Sequence, residues 1–287
     1  MRWRVASFAL VAWVAGGAIE APAQAPYQTA QRPLVTVDPS LAGPGWAVIE
    51  TGAGFAHDRE IPATGLTGDV LRVPELTLRA GLGSRVELRV DTGYEVLLVR
   101  ERHEGPLSAD LDFDGDSSSD IRDPIVSTLV RLYAETVSRP AVGVRLATRL
   151  PVASNQSGLG LDTTDFFLTL LAAKSTGPTR WIANLGLGIL EVPTEVTSQN
   201  DVITYGFALS RKVGERLAVA GGVDGHFDPH GQVRAGTEDT AVARFGGRLG
   251  IGTSTIDAAI LIGLTDVDAP IGFTVGLTRA FRLFDGT

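Results

Sequence analysis

The chain has 287 residues, of which 34 are glycine and 20% are charged, and its formal net charge is −8. That acidic balance argues against nucleic acid as a partner, because a phosphate-binding surface leaves a basic excess. The absence of cysteine excludes disulfides, thiolate zinc sites, cysteine nucleophiles and a lipid-modified N-terminal cysteine.

At the N-terminus, Arg2 and Arg4 precede the apolar run VASFALVAWVAGGA, which leads into APAQA. A basic flank, a short apolar core and small residues at Ala21, Ala23 and Ala25 form the pattern of a secretory signal peptide. Residues 1–25 are thus expected to be a signal peptide cut after Ala23 or Ala25. Residues 26–44 would follow as a short periplasmic segment, and 45–287 as the folded body. Beyond the signal no stretch approaches the ~20 consecutive apolar residues of a membrane helix. The longest, Ala258 to Leu264, is far shorter.

From there the apolar residues alternate. In ELTLRAGLGSRVELRVDTGY, Leu76, Leu78 and Leu82, then Val86, Leu88 and Val90, lie on one face. Glu75, Thr77, Arg79, Glu87, Arg89 and Asp91 lie on the other, across a Gly-Leu-Gly-Ser turn. Period-two alternation across such a turn is a β-hairpin. The pattern continues through Trp181 to Ile189, Ile203 to Leu209 and Ile256 to Leu264. Twelve strands are predicted, near 45–55, 70–80, 85–99, 121–134, 140–152, 163–174, 180–192, 201–213, 216–228, 239–252, 255–266 and 270–284. DPIVSTLVRLYAETVSR also fits an amphipathic helix capped by Asp123 and Pro124, but losing that strand would break the alternation of short and long connections. Short turns such as GLGS, STGP and GTS alternate with longer polar ones, AHDREIPATGLTG, RERHEGPLSADLDFDGDSSS and DPHGQVRAGTE among them. That rhythm is the pattern of a transmembrane antiparallel β-barrel with short periplasmic turns and longer extracellular loops. A soluble β-sandwich is the competing fold.

From Leu150 onward the sequence resembles the outer-membrane proteins of the MetA-pathway of phenol degradation family. The resemblance rests on Leu150-Pro151, the Gly158-Leu159-Gly160 loop, Asp165 on the next strand, and Asn184-Leu185-Gly186. It spans roughly residues 120–287. It implies an outer-membrane barrel of a Gram-negative bacterium that passes small compounds, hydrophobic or aromatic ones included. It implies no catalytic residues. Lipid, the barrel-assembly machinery and a small solute are the expected partners, and no cofactor is called for. The C-terminal FRLFDGT differs from a barrel that ends on an aromatic residue, and Arg279 stands where an apolar residue is expected.

If the apolar face meets lipid, the opposite face lines the lumen. It would carry Glu75, Arg79, Glu87, Arg89, Asp91, Arg131, Arg145, Arg149, Asp165, Asn184, Asp224, Arg244, Arg248 and Asp257. Buried charges need partners, so these residues read as a structural ion-pair network; a polar path selecting solutes by charge is the alternative. The protein is not expected to be an enzyme. No serine stands in a G-x-S-x-G motif, and the histidines are His57, His103, His226 and His230. An adhesive or structural barrel acting through its loops, or an outer-membrane hydrolase, are the other readings. The loop SADLDFDGDSSSD makes Asp110, Asp112, Asp114 and Asp116 a weak calcium candidate. Ile121 stands where a calcium loop has its bidentate Glu, so a solvated acidic loop is the preferred reading.

Overall fold

The alternation is realised as twelve long strands. In chain order they are β1 (Trp46–Ile61), β2 (Leu66–Gly81), β3 (Val86–Arg102), β4 (Ser117–Tyr133), β5 (Ala141–Arg149) and β6 (Asp165–Thr176). They continue as β7 (Thr179–Glu191), β8 (Gln199–Lys212), β9 (Leu217–Phe227), β10 (Thr240–Ile251), β11 (Ser254–Gly263) and β12 (Ile271–Arg282). The computed structural model describes residues 31–195, 198–231 and 234–284, so both signal-peptide cleavage positions lie outside the described residues. Each strand pairs antiparallel with its sequence neighbours, and β1 pairs with β12, closing the barrel. Closure leaves no unpaired edge, as a lipid-embedded sheet requires. Nine residues in β5 and seventeen in β3 and β4 bracket or exceed the ~9–11 that a tilted strand needs to cross a bilayer.

The segment with helical potential lies in β4. Its Pro124, which has no N–H to donate, falls where the β3–β4 register shifts between Asp91 and Gly93. The Pro124 carbonyl still accepts from the Leu150 amide at 2.9 Å. The first outer connection departs from expectation. AHDREIPATGLTG is mostly strand, and only residues 62–65 separate β1 from β2. Its polar residues pair across the hairpin rather than forming a loop: His57 meets Asp69 at 2.8 Å, and the Asp58 amide donates to the same carboxylate at 3.0 Å. The long connections 103–116, 150–164 and 228–239 share one rim, and 82–85, 177–178, 213–216 and 252–253 share the other with both ends of the barrel.

The two faces invert the order of a soluble sheet. Leu185 and Leu187 are each 61% exposed, whereas Arg79, Glu87 and Asp165 on the opposite phase are at most 2% exposed. An apolar outer band around a polar interior is the pattern of a transmembrane barrel. The interior is not wholly polar, however. Leu34 packs with Ala173, Ile182, Ala208 and Ala220, and Val37 with Leu129 and Leu171.

Leu34 and Val37 belong to the stretch expected as a periplasmic segment, 26–44. From Gln31 onward that stretch runs inside the barrel instead. The physical reason lies in its composition: apolar Leu34, Val37 and Leu41 meet small or apolar inward residues, and Arg32 and Asp38 find opposite charges on the wall.

Candidate functional site

The interior is built from the inward phase of the strands and from residues 31–45 lying against them. Beside the start of β1, Arg79 donates to Glu87 at 2.8 Å and to Glu50 at 3.2 Å, with all three side chains buried. The N-terminal segment uses the remaining lone pairs. The Ala42 amide donates to Glu87 at 2.6 Å, the Gln31 amide donates to Glu50 at 3.3 Å, and the Ser40 carbonyl accepts from Arg79. Satisfying every lone pair is what makes buried charge tolerable.

Arg32 reaches both sides of the β1–β12 closure. It donates to Glu75 on β2 at 2.8 Å, to Asp257 on β11 at 3.3 Å and to Thr274 on β12 at 2.5 Å, and its amide donates to Glu50 on β1. Gly52 and Gly276 face each other across that seam. A Cβ on Gly52 would lie 2.6 Å from an Arg32 nitrogen, so glycine there makes room for the guanidinium.

Across the barrel, Asn184 on β7 holds the segment's backbone like a strand partner. The Val37 amide donates to its side-chain oxygen at 2.6 Å, and its amide nitrogen donates to the Val37 carbonyl at 2.8 Å. Nearer the rim of the short turns, Arg180 binds Asp38 through two nitrogens and donates to Glu135 at 2.7 Å. Burial alone would raise the Asp38 carboxyl. Arg180 and Ser40 overcome this and hold it below the usual carboxylate range.

The remaining inward residues form local pairs. Arg89 chelates Asp91 and donates to Gln31, and Arg145 reaches Asp91 at 3.5 Å. Arg149 meets Asp165 at 2.6 Å, Arg244 pairs with Asp224, Arg248 donates to Ser210 at 2.8 Å, and Arg131 donates to the Ser84 carbonyl at 2.6 Å. Strand phase placed these residues on the inner face. It did not single out Arg32, Asp38, Glu50 or Arg180. Arg180 was within reach, since it shares the phase of Asn184 four residues on. The other half of its contact lay in a segment too short to show a period.

At the opposite end, Leu111 and Phe113 of the β3–β4 loop and Leu159 of the β5–β6 loop pack on inward-facing Ala56, Leu66, Val70 and Leu97. This placement accounts for the Asp-x-Asp-x-Asp run. Asp110, Asp112 and Asp114 point to solvent while the intervening Leu111 and Phe113 turn inward, so the spacing is that of an amphipathic lid. The exposed carboxylates agree with a solvated acidic loop, the reading preferred for Asp110, Asp112, Asp114 and Asp116. Among the described residues no three His, Asp or Glu side chains gather to hold a metal, and Asp116 contributes only its backbone carbonyl to Val99.

Searches with known proteins give fold similarity and no sequence relative. No family model matches the chain, and no curated protein matches it. Among solved structures, the COG4313 outer membrane channel from Pseudomonas putida F1 superposes with a TM-score of 0.62 at 13% identity, covering 83% of this chain and 96% of that one. The chain has the fold of an outer-membrane barrel. The NanC porin superposes with a TM-score of 0.51 at 9% identity over 80% of this chain and 98% of its own. The translocator domain of the autotransporter NalP from Neisseria meningitidis gives 0.50 at 13% identity, over 85% and 90%.

Proposed function

We propose that the protein is an outer-membrane channel for small solutes in a Gram-negative bacterium, narrowed from within by its own N-terminal segment. The observation that carries this reading is how residues 31–45 are held. They add no strand to the sheet, are tied to the wall by side chains, and leave a cavity of about 390 Å³ beside them. A segment tied mainly by side-chain contacts shifts at a cost of a few hydrogen bonds, each worth about 0.5–1.5 kcal/mol, or about 1.5–3 where a charge takes part. A barrel meant only as a scaffold needs no such cavity. The resemblance to the MetA-pathway family favours small hydrophobic or aromatic compounds as the solute class. The polar wall, with its paired arginines and carboxylates, admits charged groups as well.

A structural barrel acting through its loops is the second reading. It is supported by the lid of Leu111, Phe113 and Leu159 over the far mouth. Hydrolase chemistry is not proposed: His57, His103 and His230 meet Asp69, Glu101 and Asp228, and His226 meets Thr240, a set that offers no serine nucleophile. Reconstitution into planar bilayers tests the channel. Small, stable conductance steps that grow when Asn184→Ala loosens the segment are expected. Folded protein that conducts neither as wild type nor as this variant would overturn the reading.

A further inference from the structure

β1 changes phase near its end at the long-loop rim. Glu50, Gly52, Gly54 and Ala56 share the inward phase, and unbroken alternation would bring Asp58 and Glu60 to the same face. A bulge intervenes. The register with β2 shifts between Ala56 and Arg59, so His57 and Asp58 together stand opposite Asp69. Asp58 takes φ +56°, a left-handed conformation uncommon outside glycine, and its amide donates to Asp69 at 3.0 Å. Beyond the bulge Arg59 turns inward on the phase of Ile61, while Asp58 and Glu60 stay exposed. The bulge thus brings a cation into the lumen in place of two carboxylates.

Arg59 has like charges for neighbours. Arg72 of β2 and Arg122 of β4 lie close enough to act on it, and all three act on Glu95 of β3. Glu95 is taken by Arg72 at 2.7 Å and by Arg122 at 3.7 Å. Asp268, the other carboxylate in whose field Arg59 lies, accepts from the Ala241 amide at 2.8 Å and the Thr265 hydroxyl at 2.7 Å. Among the described residues Arg59 is the inner-face arginine that makes neither a hydrogen bond nor an ion pair. A half-buried guanidinium beside two others is costly unless something accepts from its five donors.

We propose that Arg59, with Arg72 and Arg122 beside it, binds the carboxylate of a small organic acid inside the outer mouth of the barrel. A guanidinium fork matches a carboxylate in a bidentate pair, and Arg122, whose side chain is 44% accessible, can close on the same group. One unmatched guanidinium suits the single negative charge of a carboxylate better than the nearly double charge of a phosphate. The proposal rests on the channel reading for the ligand's arrival. Binding itself does not depend on conduction.

The test uses the full chain in detergent, with ¹⁹F NMR titration of 4-fluorobenzoate and its neutral isostere 4-fluorobenzamide, corrected for partition into empty micelles. Saturable binding of the acid about tenfold tighter than the amide is expected, as one charge-assisted contact supplies. Arg59→Gln should remove that preference and leave the amide unchanged. Its thermal midpoint should not fall, because no carboxylate loses a hydrogen bond. Arg59→Lys, which keeps the charge and loses the fork, should bind the acid with intermediate affinity. Equal affinity of the parent for the two probes overturns the proposal. So does the absence of saturable binding by protein that keeps its heat-modifiable fold, or displacement of the acid by equimolar inorganic phosphate. An Arg59→Gln variant that melts earlier yet binds the acid as the parent does would make Arg59 structural and overturn it too. Acid-selective binding by a barrel that conducts no ions would support the site and remove the channel. Conduction without acid-selective binding would do the reverse.

Discussion

Asp38 in the N-terminal segment and Arg180 at the start of β7 stand 142 residues apart in sequence and share two charge-assisted hydrogen bonds inside the barrel. Asp38→Asn removes the charge but keeps the shape. We expect a loss of about 1–3 kcal/mol, the worth of hydrogen bonds to a charged group. In bilayers the same variant should show larger or more frequent openings. Unchanged conductance together with reduced thermal stability would mean that the contact holds the fold and does not restrict passage.

The same pair fixes a pH response. The Asp38 carboxyl lies below its ordinary value, because Arg180 and Ser40 outweigh the effect of burial. A depressed carboxyl contributes stability above its unfolded value of ~3.9 and loses it as pH falls through the folded one. Between pH 7 and 5 this contact should therefore not change. Conductance traces over that range should keep their amplitude, and any opening traceable to Asp38 should appear only below about pH 4. An opening at pH 6 that persists in Asp38→Asn would assign the response to another group.

Outward and inward positions on β7 should respond differently. Leu187→Arg puts a charge where the side chain is 61% exposed on the apolar outer face, worth roughly 2–4 kcal/mol against folding in a bilayer. Ile260→Arg on β11 should behave likewise. Asn184→Ala removes two hydrogen bonds to Val37 and costs about 1–3 kcal/mol. It should fold in higher yield than Leu187→Arg, measured by heat-modifiable migration on gels. Equal yields would mean that the assigned faces do not see different solvents.

Arg79 is the least replaceable of the inner arginines. Arg79→Ala leaves Glu50 and Glu87 buried beside one another, at a cost of about 3–5 kcal/mol. The triple change Arg79→Met, Glu50→Gln, Glu87→Gln removes all three charges and should recover much of that loss. Thermal unfolding followed by circular dichroism separates the two. A single variant as stable as the parent would show that water reaches the two carboxylates.

The sequence made the barrel legible because period two survives over long runs, as in the nine residues from Trp181 to Ile189, where each outward residue is apolar and the alternates after Ile182 are small or polar. The facing of Arg145, Arg149, Arg244 and Arg248 followed from the same phase. Their partners did not, because a strand's phase carries no information about which wall lies across the lumen. Asp257 thus turned out to serve Arg32, a residue 225 positions away. The N-terminal segment escaped for another reason. QRPLVTVDPSLAGPG has three prolines and no sustained period, and it is held mainly by wall side chains that meet it only in the folded barrel. The acidic loop was ambiguous through spacing alone, since alternating Asp with Leu111 and Phe113 serves an amphipathic lid as well as a metal.

Arg32 touches β2, β11 and β12 by its side chain and β1 by its amide. These strands flank the place where the first and last hairpins of the sheet meet. The cylinder is sealed where β12 pairs with β1, and the guanidinium lies against that joint, beside both Gly52 and Gly276. Arg32 thus serves as a rivet through the joint: moving the N-terminal segment out of the lumen would strip the seam of the contacts that span it.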